Sequence, residues 1–262
     1  MIDKEGLTRH INNIEDKIFI SRVLDRAEGV LKNYSPRNTD FCDPYQISLC
    51  RPILSKIREL KHFVSGGFGQ AERQIIVMFP DYMESDEIDS PLRFLRIDGN
   101  FEHDSISHRD VLGSVLGLGI KREKIGDIFI SKNCCYIVSF KDICDFIDGN
   151  LEKISRYKVE TKIVTLEDIQ IPQEKYKLIE TTVPSLRLDV MVGVGFGESR
   201  NSLSKMIGND KVKVNWKPIN NPAHLVHKGD VISFKGKGRI VLLEVGNKTK
   251  KDRLKVTIQR MI

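Results

Sequence analysis

The chain runs to 262 residues, 40% hydrophobic and 30% charged with a net charge of +6, which suits two or three small globular domains and argues against disorder. No apolar run approaches the roughly 18–20 residues that cross a membrane, and Met1-Ile2-Asp3-Lys4-Glu5 lacks the basic-then-apolar start of a secretion signal, so a cytoplasmic protein with no membrane partner is expected. Five cysteines form neither an even framework nor a C-x-x-C pair, which points to reduced thiols and no metal site.

Residues 1–60 read as helical. Ile11, Ile14, Ile18 and Phe19, then Val23, Leu24, Ala27 and Leu31, fall at helical spacing, and Asp43-Pro44 opens a further helix through Ile47, Leu49, Ile53, Leu54 and Ile57. Short strands follow at residues 62–65 and 74–79, separated by the Gly66-Gly67-Phe68-Gly69 turn. Together these make an N-terminal α/β domain over residues 1–80. Glu72 and Arg73, beside that turn, are read as an ion pair that orders it.

The acidic, turn-rich stretch 81–91 marks a boundary. Beyond it, residues 92–98 read as a strand, 108–118 as a helix ended by Gly119, 126–131 and 135–140 as strands, 141–151 as a helix and 157–164 as a last strand. This βαββαβ order is the ferredoxin-like split βαβ arrangement that RNA-recognition folds also use. It assigns residues 81–165 to a ferredoxin-like, RNA-binding middle domain, although the aromatic stacking signature of those folds does not occur on the third strand. Cys134 and Cys135 should point to opposite faces of their strand. Residues 166–184 read as a polar linker, and the fold class expected for the whole is α+β.

Residues 185–262 differ from all that precedes them. They hold sixteen Lys and Arg against six Asp and Glu, a net +10, so the first 184 residues sum to −4. A mildly acidic body that ends in a compact basic module points to a polyanion, most often nucleic acid. Within it, Leu186, Val190 and Val194 share a helical face that closes at Gly195-Phe196-Gly197. Ser199 stands where an N-cap should, and Leu203, Met206 and Ile207 give the next helix an apolar stripe. Lys211-Val212-Lys213-Val214-Asn215 alternates as a strand with both lysines outward, Gly229-Asp230 is a tight turn, and further strands lie at residues 231–234, 240–245 and 254–258.

In order and spacing, Leu186-Arg187-Leu188-Asp189, Ser199-Arg200, Val212-Lys213-Val214-Asn215 and Gly229-Asp230-Val231-Ile232 match the S4 RNA-binding domain. The run Leu118-Gly119-Ile120-Lys121-Arg122-Glu123-Lys124-Ile125-Gly126-Asp127, with His108-Arg109-Asp110 before it and Asp40-Phe41, Gly66-Gly67 and Ala71-Glu72-Arg73 further upstream, resembles the YlmH family over nearly the whole chain. The resemblance implies a bacterial, cytoplasmic, non-catalytic RNA-binding protein, monomeric and without a cofactor. Its partners would be rRNA and the large ribosomal subunit together with peptidyl-tRNA, and its role would be quality control of stalled subunits.

Carried over by position, the RNA-contact candidates in the S4 part are Arg187, Ser199, Arg200, Lys205, Lys211, Lys213, Asn215 and Lys217. Lys235, Lys237 and Arg239 join them around Gly236 and Gly238, where bare backbone could approach a phosphate. Arg109, Lys121, Arg122 and Lys124 form a second basic cluster in the middle domain. One departure is Asp210, at a turn position where the family usually has glycine; Asp tolerates a left-handed turn better than most residues.

Three other readings compete. Gly193-Val194-Gly195-Phe196-Gly197 superficially resembles a nucleotide loop, and some S4 proteins are rRNA methyltransferases, but such a loop should follow a buried strand. Asp189 in an Arg-Leu-Asp run invites comparison with pseudouridine synthases, yet only about 70 residues follow it; a salt-bridging or helix-terminal role explains it better. A cell-division interaction protein rests on family association alone. His224 and His227 lack a ligand pattern and read as surface residues.

Overall fold

The computed structural model describes residues 2–101, 106–131, 134–169, 171 and 175–261, with side chains for all of these except residues 200–202. The chain divides into two compact units, residues 1–172 and residues 173–262.

The first unit opens with α1 (Lys4–Thr8), started by Asp3 accepting from the Gly6 N–H, and α2 (Ile14–Asn33), started by Asn13 accepting from the Asp16 N–H. After β1 (Arg37–Asn38), α3 (Pro44–Leu54) begins at a capping box: Asp43 accepts from the Gln46 N–H and the Gln46 side chain accepts from the Asp43 N–H. Strands β2 (Leu60–Ser65) and β3 (Ile75–Pro80) complete a three-stranded antiparallel sheet in the order β1-β3-β2. Leu24, Ala27 and Val30 of α2 and Cys50, Ile53 and Leu54 of α3 bury one side of that sheet through Ile76 and Met78.

Next come β4 (Leu92–Gly99), α4 (His108–Gly117), β5 (Ile125–Ile130), β6 (Cys134–Phe140), α5 (Lys141–Asn150), β7 (Lys153–Ile154) and β8 (Tyr157–Val164). The sheet order is β5-β6-β4-β8-β7 and every neighbouring pair is antiparallel. Thus β6 lies between β4 and β5, and β4 lies between β6 and β8, while the two-residue β7 adds a strand to the six elements read from the sequence. Val111 and Val115 of α4 and Cys144 and Ile147 of α5 cover Leu95, Ile97, Cys135 and Ile137 on one face.

The opposite face of this sheet is also buried. Phe94, Cys134, Tyr136, Val138 and Phe140 form one core with Ile75 and Val77 of the N-terminal sheet and with Phe41 from the loop before α3. Two sheets therefore meet face to face, with Phe41 and Phe140 rings 5.2 Å apart and Phe68 and Phe129 rings 5.0 Å apart. This explains why every residue of β3 and β6 is buried: each strand has apolar partners on both faces, so both parities of its pattern are hydrophobic. Cys135 faces the helices and Cys134 the N-terminal sheet, opposite faces as the alternation requires. All five cysteines are free and buried, and burial pushes the Cys42 thiol up to about 11 and those of Cys135 and Cys144 to about 12.

The second unit corrects the sequence reading of its entrance. Residues 166–184 are not a linker throughout: Ile169 packs in the core shared by the two sheets, and β9 (Tyr176–Val183) pairs along its whole length with the last strand of the chain. The elements after it are α6 (Leu188–Phe196), α7 (Arg200–Gly208), β10 (Val212–Val214), β11 (Lys217–Pro218), β12 (Val231–Phe234), β13 (Gly238–Lys248) and β14 (Leu254–Met261). They make a six-stranded antiparallel sheet in the order β11-β10-β12-β13-β14-β9. Inward residues Val212, Val214, Ile232, Phe234, Ile240, Leu242, Val256 and Ile258 pack against α6 and α7. At Gly195 a Cβ would lie 2.5 Å from Ile240 Cδ1, so only glycine lets α6 approach β13 this closely. The chain as a whole is α+β. Among the described residues no helix is long and apolar enough to cross a membrane.

Candidate nucleic-acid interface

Helix α6 is buried almost all round, with Leu188, Val190, Met191 and Val192 in the core. Its polar start is closed by its own residues. The Arg187 guanidinium donates to both Asp189 carboxylate oxygens, at 3.1 and 2.9 Å, and Asp189 also accepts from the Val190 N–H at 2.9 Å. Asp189 is thus the salt-bridging, helix-terminal residue expected, with its charge at the favourable end of the helix dipole. Gly193 and Gly195 lie inside α6 and Gly197 ends it in the left-handed region (φ 74°). The residues immediately before them, Leu188–Val192, are helical, so this run is the end of a helix.

Ser199 occupies the N-cap position of α7 but its side chain makes no capping hydrogen bond. Arg200 is the first residue of the helix; its side chain lies outside the described residues. Lys205 is exposed on α7, while Leu203 and Ile207 are fully buried beneath it. The helix ends in a Schellman motif: the Asp210 N–H donates to Ile207 O at 3.1 Å and the Lys211 N–H to Met206 O at 3.2 Å, with Asp210 left-handed at φ 53°. The expected left-handed turn at Asp210 is therefore observed.

Lys211, just before β10, and Lys213, on it, are exposed, and Lys217 is exposed on β11. The register aligns Lys213 with Ser233 and Ser233 with Arg239, which sets Lys213 and Arg239 in one row across the outer face of the sheet. Arg239 also stands over the Trp216 ring, 5.6 Å from its centroid. Sequence reasoning passed over Trp216, although it is the one tryptophan of the chain. Lys235 is exposed at the adjoining turn, where Gly236 (φ 81°) and Gly238 (φ 100°) hold conformations that side chains resist.

Besides Arg187, two further candidates are engaged within the protein. The Asn215 side chain donates to Asp230 Oδ1 at 2.8 Å and accepts from the Val231 N–H at 2.9 Å, so it fastens the hairpin to β12. Lys237 pairs with Glu198 at 2.8 Å and ties the β12–β13 turn to the turn between the helices. His227 is exposed and lies 3.7 Å from Asp230, in keeping with a surface role.

The middle-domain cluster splits in the same way. Arg109 and Lys121 are exposed. Lys124 instead bonds Asp40 at 2.7 Å, which also accepts from Arg26 at 2.8 Å. Arg122 donates to Ile125 O, and burial beside Arg73 lowers its pKa to about 10, so it stays cationic at neutral pH. Arg122 and Lys124 thus line the seam between the two sheets of the first unit. Arg73, read as an ion-pair partner of Glu72, donates to Ile125 O at 3.1 Å and Phe41 O at 3.0 Å across that seam. The sheet face on which an RNA-recognition fold would stack bases is the face covered by the N-terminal sheet.

Two helices set against an antiparallel sheet whose outer face carries the basic residues define an RNA-binding S4 protein. Residues 186–232 match the model of the S4 domain, residues 15–83 that described as "YlmH, N-terminal" and residues 86–168 that described as "Putative RNA-binding domain in YlmH". The "Ribosome-associated protein quality control protein P2" of Bacillus subtilis (strain 168) is 32% identical over 246 residues, 94% of this chain and 95% of that protein. A solved structure, the "Cell division protein ylmH from Streptococcus pneumoniae", superposes with a TM-score of 0.51 at 28% identity, covering 60% of this chain and 96% of the other. The chain belongs to the YlmH family.

Proposed function

We propose that this protein is a non-catalytic reader of structured rRNA, with tRNA beside it, on the large ribosomal subunit, and that it acts as a cytoplasmic monomer in quality control of stalled subunits. The observation that carries the reading is the outer row of the S4 sheet, Lys213 and Arg239 in line on either side of Ser233, with Lys211, Lys217 and Lys235 around them. The name of the Bacillus subtilis relative supports the setting. Phosphate contacts by such a row fix register and make affinity fall with salt. A non-catalytic role fits Asp189, whose two carboxylate oxygens are taken by Arg187 and the start of α6.

The test is filter binding of large-subunit rRNA over a salt series, with Lys213→Ala plus Arg239→Ala. Loss of two phosphate contacts should flatten the log–log salt slope by roughly 1.4–1.8; an unchanged slope and affinity would refute the assignment. A second reading, an interaction partner in cell division, draws on the name of the Streptococcus pneumoniae structure. Fractionation of lysate decides between them: the ribosomal reading requires the protein to travel with large subunits.

A further inference from the structure

The Asn215-Trp216 turn joins β10 to β11 with Val214 opposite Lys217, a two-residue hairpin in which both residues are left-handed, at φ 48° and φ 65°. The second position of such a turn is normally glycine. Asn215 has a structural reason to be there, since its side chain fastens the hairpin to β12. Trp216 holds the second position, at φ 65°. Its indole is only partly buried and stands apart from the core cluster that holds the sheet to α6 and α7. It lies instead on the outer face, beside the Arg239 guanidinium at 5.6 Å, with Lys213 and Lys217 flanking it in sequence. A bulky residue is thus kept in a strained conformation where its ring meets the basic row.

We infer that Trp216 and Arg239 form a stacking platform for one unpaired RNA base, with Lys213 and Lys217 holding the flanking phosphates. This rests on the RNA-binding reading and adds to it: the S4 surface would then recognise a splayed-out base as well as shape and phosphates. Indole and guanidinium planes are the groups on which unstacked bases settle, with little dependence on base identity.

Because the chain holds a single tryptophan, its fluorescence reports this position alone. The full chain is titrated with large-subunit rRNA and with the duplex poly(A)·poly(U), and binding is followed in parallel by filter retention. Binding of rRNA should quench the emission in step with retention, and the duplex, which offers no free base, should bind with little quenching. Trp216→Gly should weaken rRNA binding by roughly five- to a hundredfold, the loss expected for one stacked base, and leave duplex binding unchanged. Its melting temperature should not fall, because glycine suits the turn, so the loss cannot be put down to misfolding. Trp216→Phe should keep most of the affinity. If rRNA is retained without quenching, or if Trp216→Gly binds as the parent does, the platform is overturned and the RNA-binding reading stands. If neither RNA is retained, both fall.

Discussion

Arg73 and Asp127 grip each other's segments without pairing their charges. The Asp127 carboxylate accepts from the backbone N–H groups of Arg73 at 3.0 Å and Glu72 at 2.7 Å, while the Arg73 guanidinium turns to Ile125 O and Phe41 O. Around them Phe41 N–H donates to Glu123 O at 2.8 Å, and a Cβ at Gly126 would come within 2.6 Å of the Phe41 ring. The family-specific runs at residues 40–41, 71–73 and 118–127 thus meet in space. Their shared task is to close two sheets on one another.

Asp127→Ala should therefore act on folding. It removes the acceptor of two part-buried N–H groups, and each unsatisfied group costs about 1–3 kcal/mol, so the first unit should lose about 2–6 kcal/mol in urea denaturation. Asp127→Asn, which keeps one acceptor oxygen, should lose less. An unchanged midpoint for Asp127→Ala would show that the seam does not depend on this carboxylate.

Asp40 gives the seam an acid limb. Burial alone would raise its pKa, but hydrogen bonds from Lys124 and Arg26 outweigh burial and hold the carboxyl below its ordinary value. A carboxylate with a depressed folded-state pKa stabilises fully above its unfolded value near 4 and ceases to do so as pH falls through the folded value. Asp40→Asn should cost about 1 kcal/mol at pH 7 and flatten the loss of stability below about pH 4. Thermal melts across that range measure both; parallel curves for the two proteins would refute the linkage.

How much of this could be read from sequence depends on whether the cause was local. The capping box of Asp43 and Gln46, the period of α2 and the helix-terminal Asp189 all act over a few residues, and they are legible. Strand β9 is not, because it is an edge strand whose Tyr176 and Leu178 stay exposed among polar neighbours, so its pattern matches a linker. The apolar runs of β3 and β6, broken in β6 only by Ser139, announce two buried faces without saying what covers them. Basic residues carry the same ambiguity: Lys124 finds Asp40 84 positions away, whereas Lys213 stays exposed, and nothing adjacent in sequence separates the two fates.

The covered sheet face leads to a separation of stability from binding. Phe94 sits on β4 where a stacking aromatic of an RNA-recognition fold could stand, yet it is buried against the N-terminal sheet, 3.0 Å from where a Cβ of Gly67 would be. Phe94→Leu should destabilise the first unit by about 1–2 kcal/mol and leave rRNA affinity within about twofold. A large loss of affinity in a variant that still melts cooperatively would place RNA on this face and contradict the fold.

Asp210 offers the opposite kind of change, a gain. It stands at the left-handed position of the Schellman motif that ends α7, at φ 53°, where glycine carries no steric penalty. Its carboxylate also lies next in sequence to Lys211, whose side chain is exposed. Asp210→Gly relieves the backbone and removes a negative charge beside the basic row, so both effects have the same sign. The second unit should gain about 0.5–1 kcal/mol, and rRNA affinity should rise a few-fold at low salt, with the gain fading as salt screens the charge. Asp210→Asn separates the contributions, since asparagine also tolerates the left-handed region but carries no charge. It should raise affinity about as much as glycine does and change stability less. If only Asp210→Gly raises affinity, then the rigidity of the turn, and not the charge of Asp210, limits binding at Lys211.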